Sequence, residues 1–142
     1  MTYKKDITSA NSSISCADAL GNHNLEGYAA DSALGAEIAK ITETRMGVDG
    51  QMSAGYVPSI KRFQIDFEAS SSSIAHFMDL AMLAQTTKTP QPVVMTVTIP
   101  AVGKRFICNG VLTDYPPVFN IKRTLDPMSF SFDFQEIIPM PM

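Results

Sequence analysis

Reactive side chains are scarce in this chain. Its 142 residues include two cysteines, Cys16 and Cys108, and two histidines, His23 and His76. Neither cysteine has a second cysteine or a histidine at metal-ligand spacing, so no metal site is expected and both thiols read as half-buried packing groups. Charge is scarce as well: 18% of residues are Asp, Glu, Lys or Arg, below the usual quarter, as in a subunit with extensive contacts. With a formal net charge of −3 and a pI near 5.2, the chain lacks the basic surface that nucleic acid or an acidic membrane requires. No run reaches the roughly 18 apolar residues of a membrane-spanning helix. The opening MTYKKDITSANSSI has lysines but no apolar stretch behind them, so it does not read as a signal peptide.

What the chain has in plenty is period-two alternation. From Lys61 onward, Phe63, Ile65, Phe67 and Ala69 are apolar while Arg62, Gln64, Asp66 and Glu68 are polar, the pattern of a half-buried strand. Ahead of it, Asp49-Gly50 is a tight-turn pair with Gly47 and Gly55 on either side and Pro58 closing the segment, which predicts a long projecting hairpin. Its arms are Ala36 to Met46 and Gln51 to Tyr56, although the alanines and glutamates of the first arm also suit a helix. Val93 to Ile99 and Arg105 to Thr113 alternate as a second hairpin about Gly103-Lys104. Met128 to Ile137 alternates through Phe130, Phe132 and Phe134, and Pro139 and Pro141 are expected to end its pairing.

Weaker extended segments are read at Asn11 to Ala19, Leu25 to Ala33 and Val118 to Leu125, with a turn at Gly21 to Asn24. The one predicted helix runs from about Ser72 to Gln85. Serine caps precede Ile74, Phe77, Met78 and Ala81 at i, i+3, i+4 and i+7, and Met82 is assigned to the core with them. The expectation is a single domain over residues 1–142, mainly β: two packed antiparallel sheets, sandwich or barrel, with one flanking α-helix.

Catalytic constellations are not found. Ser72, His76 and Asp79 fall on one helix, where successive side chains radiate and cannot converge on one oxygen, so His76 is read as lying on a solvated face. Glu37, Glu43, Asp66, Glu68, Asp133 and Glu136 alternate with apolar partners, as solvated strand faces do. Gly47-Val48-Asp49-Gly50 spells neither a P-loop nor a dinucleotide fingerprint. The chain is therefore expected not to be an enzyme and to need no cofactor. Met46 and Met52 bracket the hairpin turn, where flexible thioethers either fill gaps against a neighbour or lie under their own sheet; the sequence leaves both open.

Taken in order, GYAADSA, ETRMGVDGQMSAGYVP, RFQIDFEA, a helix, VVMTVTIPAVGKRF, NGVLTDYPP and a final phenylalanine strand resemble the tail tube proteins of contractile-tailed bacteriophages. The resemblance runs from about Gly27 to Ile138 and leaves residues 1–26 as an N-terminal arm of open role. It implies a structural virion protein, assembled in the host bacterial cytoplasm. Subunits of that family form homohexameric rings, each closing a ring-shaped inner β-barrel, and the rings stack into a tail tube for genome ejection. Implied partners are further copies of the chain, a sheath protein, a baseplate and a tape-measure protein, with DNA passing through unbound and no stable membrane association. Tubes of type VI secretion systems and phage-tail-like bacteriocins (tailocins) are related alternatives, and a small-ligand-binding β-barrel is a third.

On that reading the hairpin residues Met46, Gly47, Val48, Asp49, Gly50, Gln51, Met52 and Tyr56 are expected to contact a neighbouring subunit. Glu37, Glu43, Asp66 and Glu68 are candidates for the channel wall, since lysine or arginine there would hold DNA by its phosphates. The same acids would equally suit the outer surface, because strand facing is not legible without the fold.

Overall fold

Strands whose side chains alternate in polarity bury one face and must pair along both edges, and nearly all the strong alternation in this chain goes into one antiparallel sheet. The computed structural model describes residues 12–25, 34–118 and 121–141; the extended piece read around Tyr28 lies outside them. In chain order the elements are β1 (Ser13–Asp18), β2 (Gly21–Asn24), β3 (Leu34–Ala36), β4 (Thr42–Met46), β5 (Met52–Tyr56), β6 (Lys61–Phe67), α1 (Ser73–Thr87), β7 (Pro92–Ile99), β8 (Lys104–Asp114) and β9 (Met128–Pro141). Seven strands form the large sheet in the order β2-β1-β7-β8-β9-β6-β3, and β4 and β5 form a two-stranded sheet of their own. The protein is thus mainly β, with two antiparallel sheets and one α-helix among the described residues. None of its described helices is long and apolar enough to cross a membrane.

The large sheet rolls around its apolar face. At one end of β6, Phe67 meets Phe77 of α1, whose ring also contacts Phe130 and Phe132 of β9 with centroids 5.5 and 5.3 Å away. Ile74, Phe77, Leu80 and Ala81 form the buried stripe of the helix, close to the predicted spacing, but Met82 is exposed and not part of the core. At the other end of β6, Phe63 and Leu34 face Val97, Ile99 and Phe106 across an apolar opening of about 350 Å³. The helix therefore plugs one end of the roll and leaves the other open. The serine that caps α1 is Ser71, whose Oγ accepts from the Ser73 amide at 3.2 Å; Ser72, at the cap position, makes no side-chain capping bond.

Several local expectations are corrected. Gly21 to Asn24 is strand β2, because the reversal occurs two residues earlier, where Asp18 Oδ1 accepts from the Leu20 amide at 2.8 Å. With β1, this strand places residues 13–24 of the segment set apart as an arm inside the large sheet. The first hairpin arm is shorter than read: Ala36 belongs to β3, paired with Phe63, and residues 37–41 are irregular. Among the described residues of Val118 to Leu125 there is no strand, only an isolated Ile121–Leu125 bridge.

Pro139 and Pro141 do not end the last strand, which continues to Pro141 opposite Phe106 and Lys104 of β8. Beyond Phe134 there is no β6 on the other side, since β6 begins at Lys61, the partner of Phe134. A proline is tolerated where its missing N–H would face an unpaired edge.

A β-bulge explains how β9 changes phase. Asn109 pairs with Glu136 but Gly110 with Phe134, so Gln135 is an extra residue. Phe130, Phe132 and Phe134 point into the core, and after the bulge Ile137 does so opposite Cys108, leaving Glu136 exposed. Unbroken alternation would have sent the glutamate inward. Gly110 permits this close approach, because a Cβ there would lie 2.7 Å from Phe134 Cα and against the Asp133 carbonyl.

Two stability predictions follow from this packing. Gly110→Ala should destabilise by about 1–3 kcal/mol, since backbone rather than a flexible side chain must move. Phe77→Ala should cost about 3–5 kcal/mol, whereas Met82→Ala should stay within about 0.5 kcal/mol. Chemical denaturation of the three variants measures both contrasts.

Candidate assembly surface

The β4–β5 hairpin is built as predicted around Asp49-Gly50. The Gly47 amide donates to the Gln51 carbonyl at 2.8 Å, and the Gln51 amide donates to Asp49 Oδ1 at 3.0 Å. Gly50 has φ +80°, a left-handed conformation that glycine adopts without strain. Pairing of Thr42 with Tyr56, Thr44 with Ala54 and Met46 with Met52 puts these six side chains on one face. Glu43, Arg45, Ser53 and Gly55 lie on the other.

The first face is amphipathic patterning without a core beneath it. Met46, Met52 and Tyr56 are 69%, 64% and 79% exposed, and Val48 at the tip and Ile41 at the base are exposed as well. An isolated two-stranded hairpin is marginal in water, and an exposed apolar face of this kind is a candidate contact surface. Of the two readings left open for Met46 and Met52, burial under their own sheet is not what the structure shows.

The four acids proposed for a channel wall are not brought together. Glu37 and Asp66 share a shallow depression on the convex face with Arg62 and Gln64. Asp66 Oδ1 accepts from Gln64 Nε2 and from Ser129 Oγ, and Arg62 Nε donates to Asp133 Oδ1 at 2.9 Å. Glu43 is on the hairpin beside Lys40, 3.7 Å away, and Glu68 is exposed just past the end of β6. On the same face Ser129 and Ser131 lie opposite Asp66 and Gln64, and Ser15 and Ser13 lie opposite Thr96 and Thr98; next to those threonines β8 and β9 present Ile107 and Arg105, then Ile138 and Met140.

One cluster was invisible in the sequence. Cys16 and Asp18, two apart on β1, share a face, and α1 brings His76 to them: His76 Nε2 lies 2.8 Å from Asp18 Oδ2, and Cys16 Sγ donates to the same oxygen at 3.5 Å. His76 is therefore half-buried against β1 rather than solvated. The ring of His23 on β2 stacks on it at 4.6 Å, and His23 Nε2 meets the buried Ser73 Oγ at 3.1 Å. The Cys16-x-Asp18 spacing was the one available signal; a histidine 58 residues away carries none. Burial, with the Asp18 charge added, pushes the Cys16 thiol far up, and burial alone pushes Cys108 up to about 11. Both cysteines are free and buried, deeper than the half-buried state expected.

Comparison with solved structures finds this fold in the anti-feeding prophage. A chain from the cryo-EM structure of the anti-feeding prophage cap, described as the tube terminating cap, matches with a TM-score of 0.57 at 7% identity, covering 100% of this chain and 95% of that one. A chain from the six-fold symmetrised cryo-EM structure of the anti-feeding prophage baseplate matches with a TM-score of 0.58 at 6% identity, covering 98% of each. At such identities the likeness is one of fold. Comparison with curated proteins finds no match. The model of one phage-tail family, described as tail fiber protein gp32, matches residues 5–138, and the chain belongs to that family.

Proposed function

We propose that the protein is a structural ring subunit of a phage tail tube, stacked in homohexamers through which DNA is delivered. The observation that carries this reading is the hairpin: an amphipathic ribbon whose Met46, Met52, Ala54 and Tyr56 face is left uncovered by the described residues. A second copy in the next ring supplies the missing surface. Support comes from the fold, shared with a tube cap and with a baseplate solved under six-fold symmetry. Sheath, baseplate and tape-measure proteins are the further partners, and the virion tail is the location. The convex sheet face faces the bore, with Ser13, Ser15, Thr96 and Thr98 beside Arg105, and with Arg62 paired to Asp133. No catalysis belongs to this role, and no cofactor.

The family description favours a second reading, a fibre subunit. Labelled antibody or cryo-EM on purified tails separates the two, since a tube subunit repeats along the whole tail and a fibre subunit sits only where fibres attach.

Replacing residues 47–51 by a two-residue turn, or making the pair Met46→Ser and Met52→Ser, should abolish seeded tube growth. Monomer stability should stay within about 0.5 kcal/mol, as for other exposed sites. Normal tubes from either variant would refute stacking through the hairpin.

The separate positions of Glu37 and Glu43 give a second test. Glu37→Lys should increase DNA retention by assembled tubes, more strongly at low salt, while Glu43→Lys on the hairpin should not. Equal retention in both variants would remove Glu37 from the channel wall.

A further inference from the structure

We propose that Cys16, Asp18 and His76 form a binding site for a thiophilic divalent cation, zinc being the natural occupant. The inference is independent of the tube reading.

Three donor types converge from two elements, thiol and carboxylate from β1 and imidazole from α1, and their Sγ, carboxylate oxygen and ring nitrogen all lie within 4.8 Å of one another. Ligands around tetrahedral zinc, at bond lengths of about 2.0–2.3 Å, sit roughly 3.4–3.6 Å apart. The Sγ–Oδ2 separation is already 3.5 Å, and the Nε2–Oδ2 separation of 2.8 Å opens by about 0.6 Å to reach that geometry.

The surroundings hold the donors in place. Asp18 Oδ1 is fixed by the Leu20 amide, which aims Oδ2 into the cluster, as outer partners of metal ligands do. His23 stacks on His76 with an interplanar angle of 10° and is itself anchored on Ser73, so the imidazole plane is set from outside the site. The Asp18 side chain has no exposed surface, and among the described residues its one ion pair is with His76. The carboxylate meets the Leu20 amide, the Cys16 thiol and His76, and a bound cation takes the place of the protons that the thiol and imidazole hold there. The His76 side chain is 14% exposed, which gives the ion a way in, and water supplies the fourth ligand. Thiolate, imidazole and carboxylate together select zinc or cobalt over magnesium or calcium. Cys108 sits apart on β8, opposite Met95 and Ile137, and serves as the internal control.

The test uses the full-length protein, purified, freed of metal and titrated with cobalt(II). The expected result is a thiolate-to-cobalt charge-transfer band in the near ultraviolet, saturating at one ion per chain, bleached by zinc, and retained in Cys108→Ser. Cys16→Ser and His76→Gln should each weaken zinc binding at least tenfold. Should those variants unfold, X-ray absorption on the zinc-loaded wild-type protein decides the matter, because the site demands one sulfur ligand. Absence of the charge-transfer band, full affinity in Cys16→Ser, or a zinc shell without sulfur would each overturn the proposal.

Discussion

The contact of Phe77 with Phe67, Phe130 and Phe132 is the constraint on which the molecule hangs. A rolled sheet with one apolar face has an open interior, and the helix closes one end of it by inserting a ring among three others. Aromatic side chains bring large buried area at low rotameric cost. Because β6, β9 and α1 all contribute to this cluster, it fixes the relative position of segments from Lys61 to the end of β9. It also sets where His76 comes to rest, one residue before Phe77 and facing β1.

With the interior filled by phenylalanine, the two remaining surfaces take different chemistries. The convex face carries serine, threonine and paired charges such as Arg62 with Asp133, and the hairpin carries methionine and tyrosine.

How much of this was legible depends on the range of the interaction. Period-two runs in β6, β7 and β9, the 3.6-period stripe of α1 and the Asp49-Gly50 reversal are local signals, and each gave an element within a few residues of its observed bounds. Facing along β9 was legible as far as Phe134 and no further, since a bulge at Gln135 answers to Gly110 on another strand. The position of β2 was missed because a side-chain bond from Asp18 moved the turn. For the assembly surface, the turn chemistry announced the hairpin, while the exposure of Met46 and Met52 depended on what lay beneath them, which no local pattern encodes. The Cys16, Asp18 and His76 cluster is legible only in three dimensions. Resemblance to tail tube proteins led to a phage tail, where the family match also places the chain.

The two prolines at the end of β9 have a consequence for solubility before assembly. From Gln135 to Pro141 this strand has a partner on one side only, and its free side would otherwise offer a row of amide donors to any passing strand. Pro139 and Pro141 carry no amide hydrogen, so an incoming chain finds acceptors without matching donors there and cannot build a continuous ladder. The exposed side of this strand is thereby kept from amyloid-like stacking.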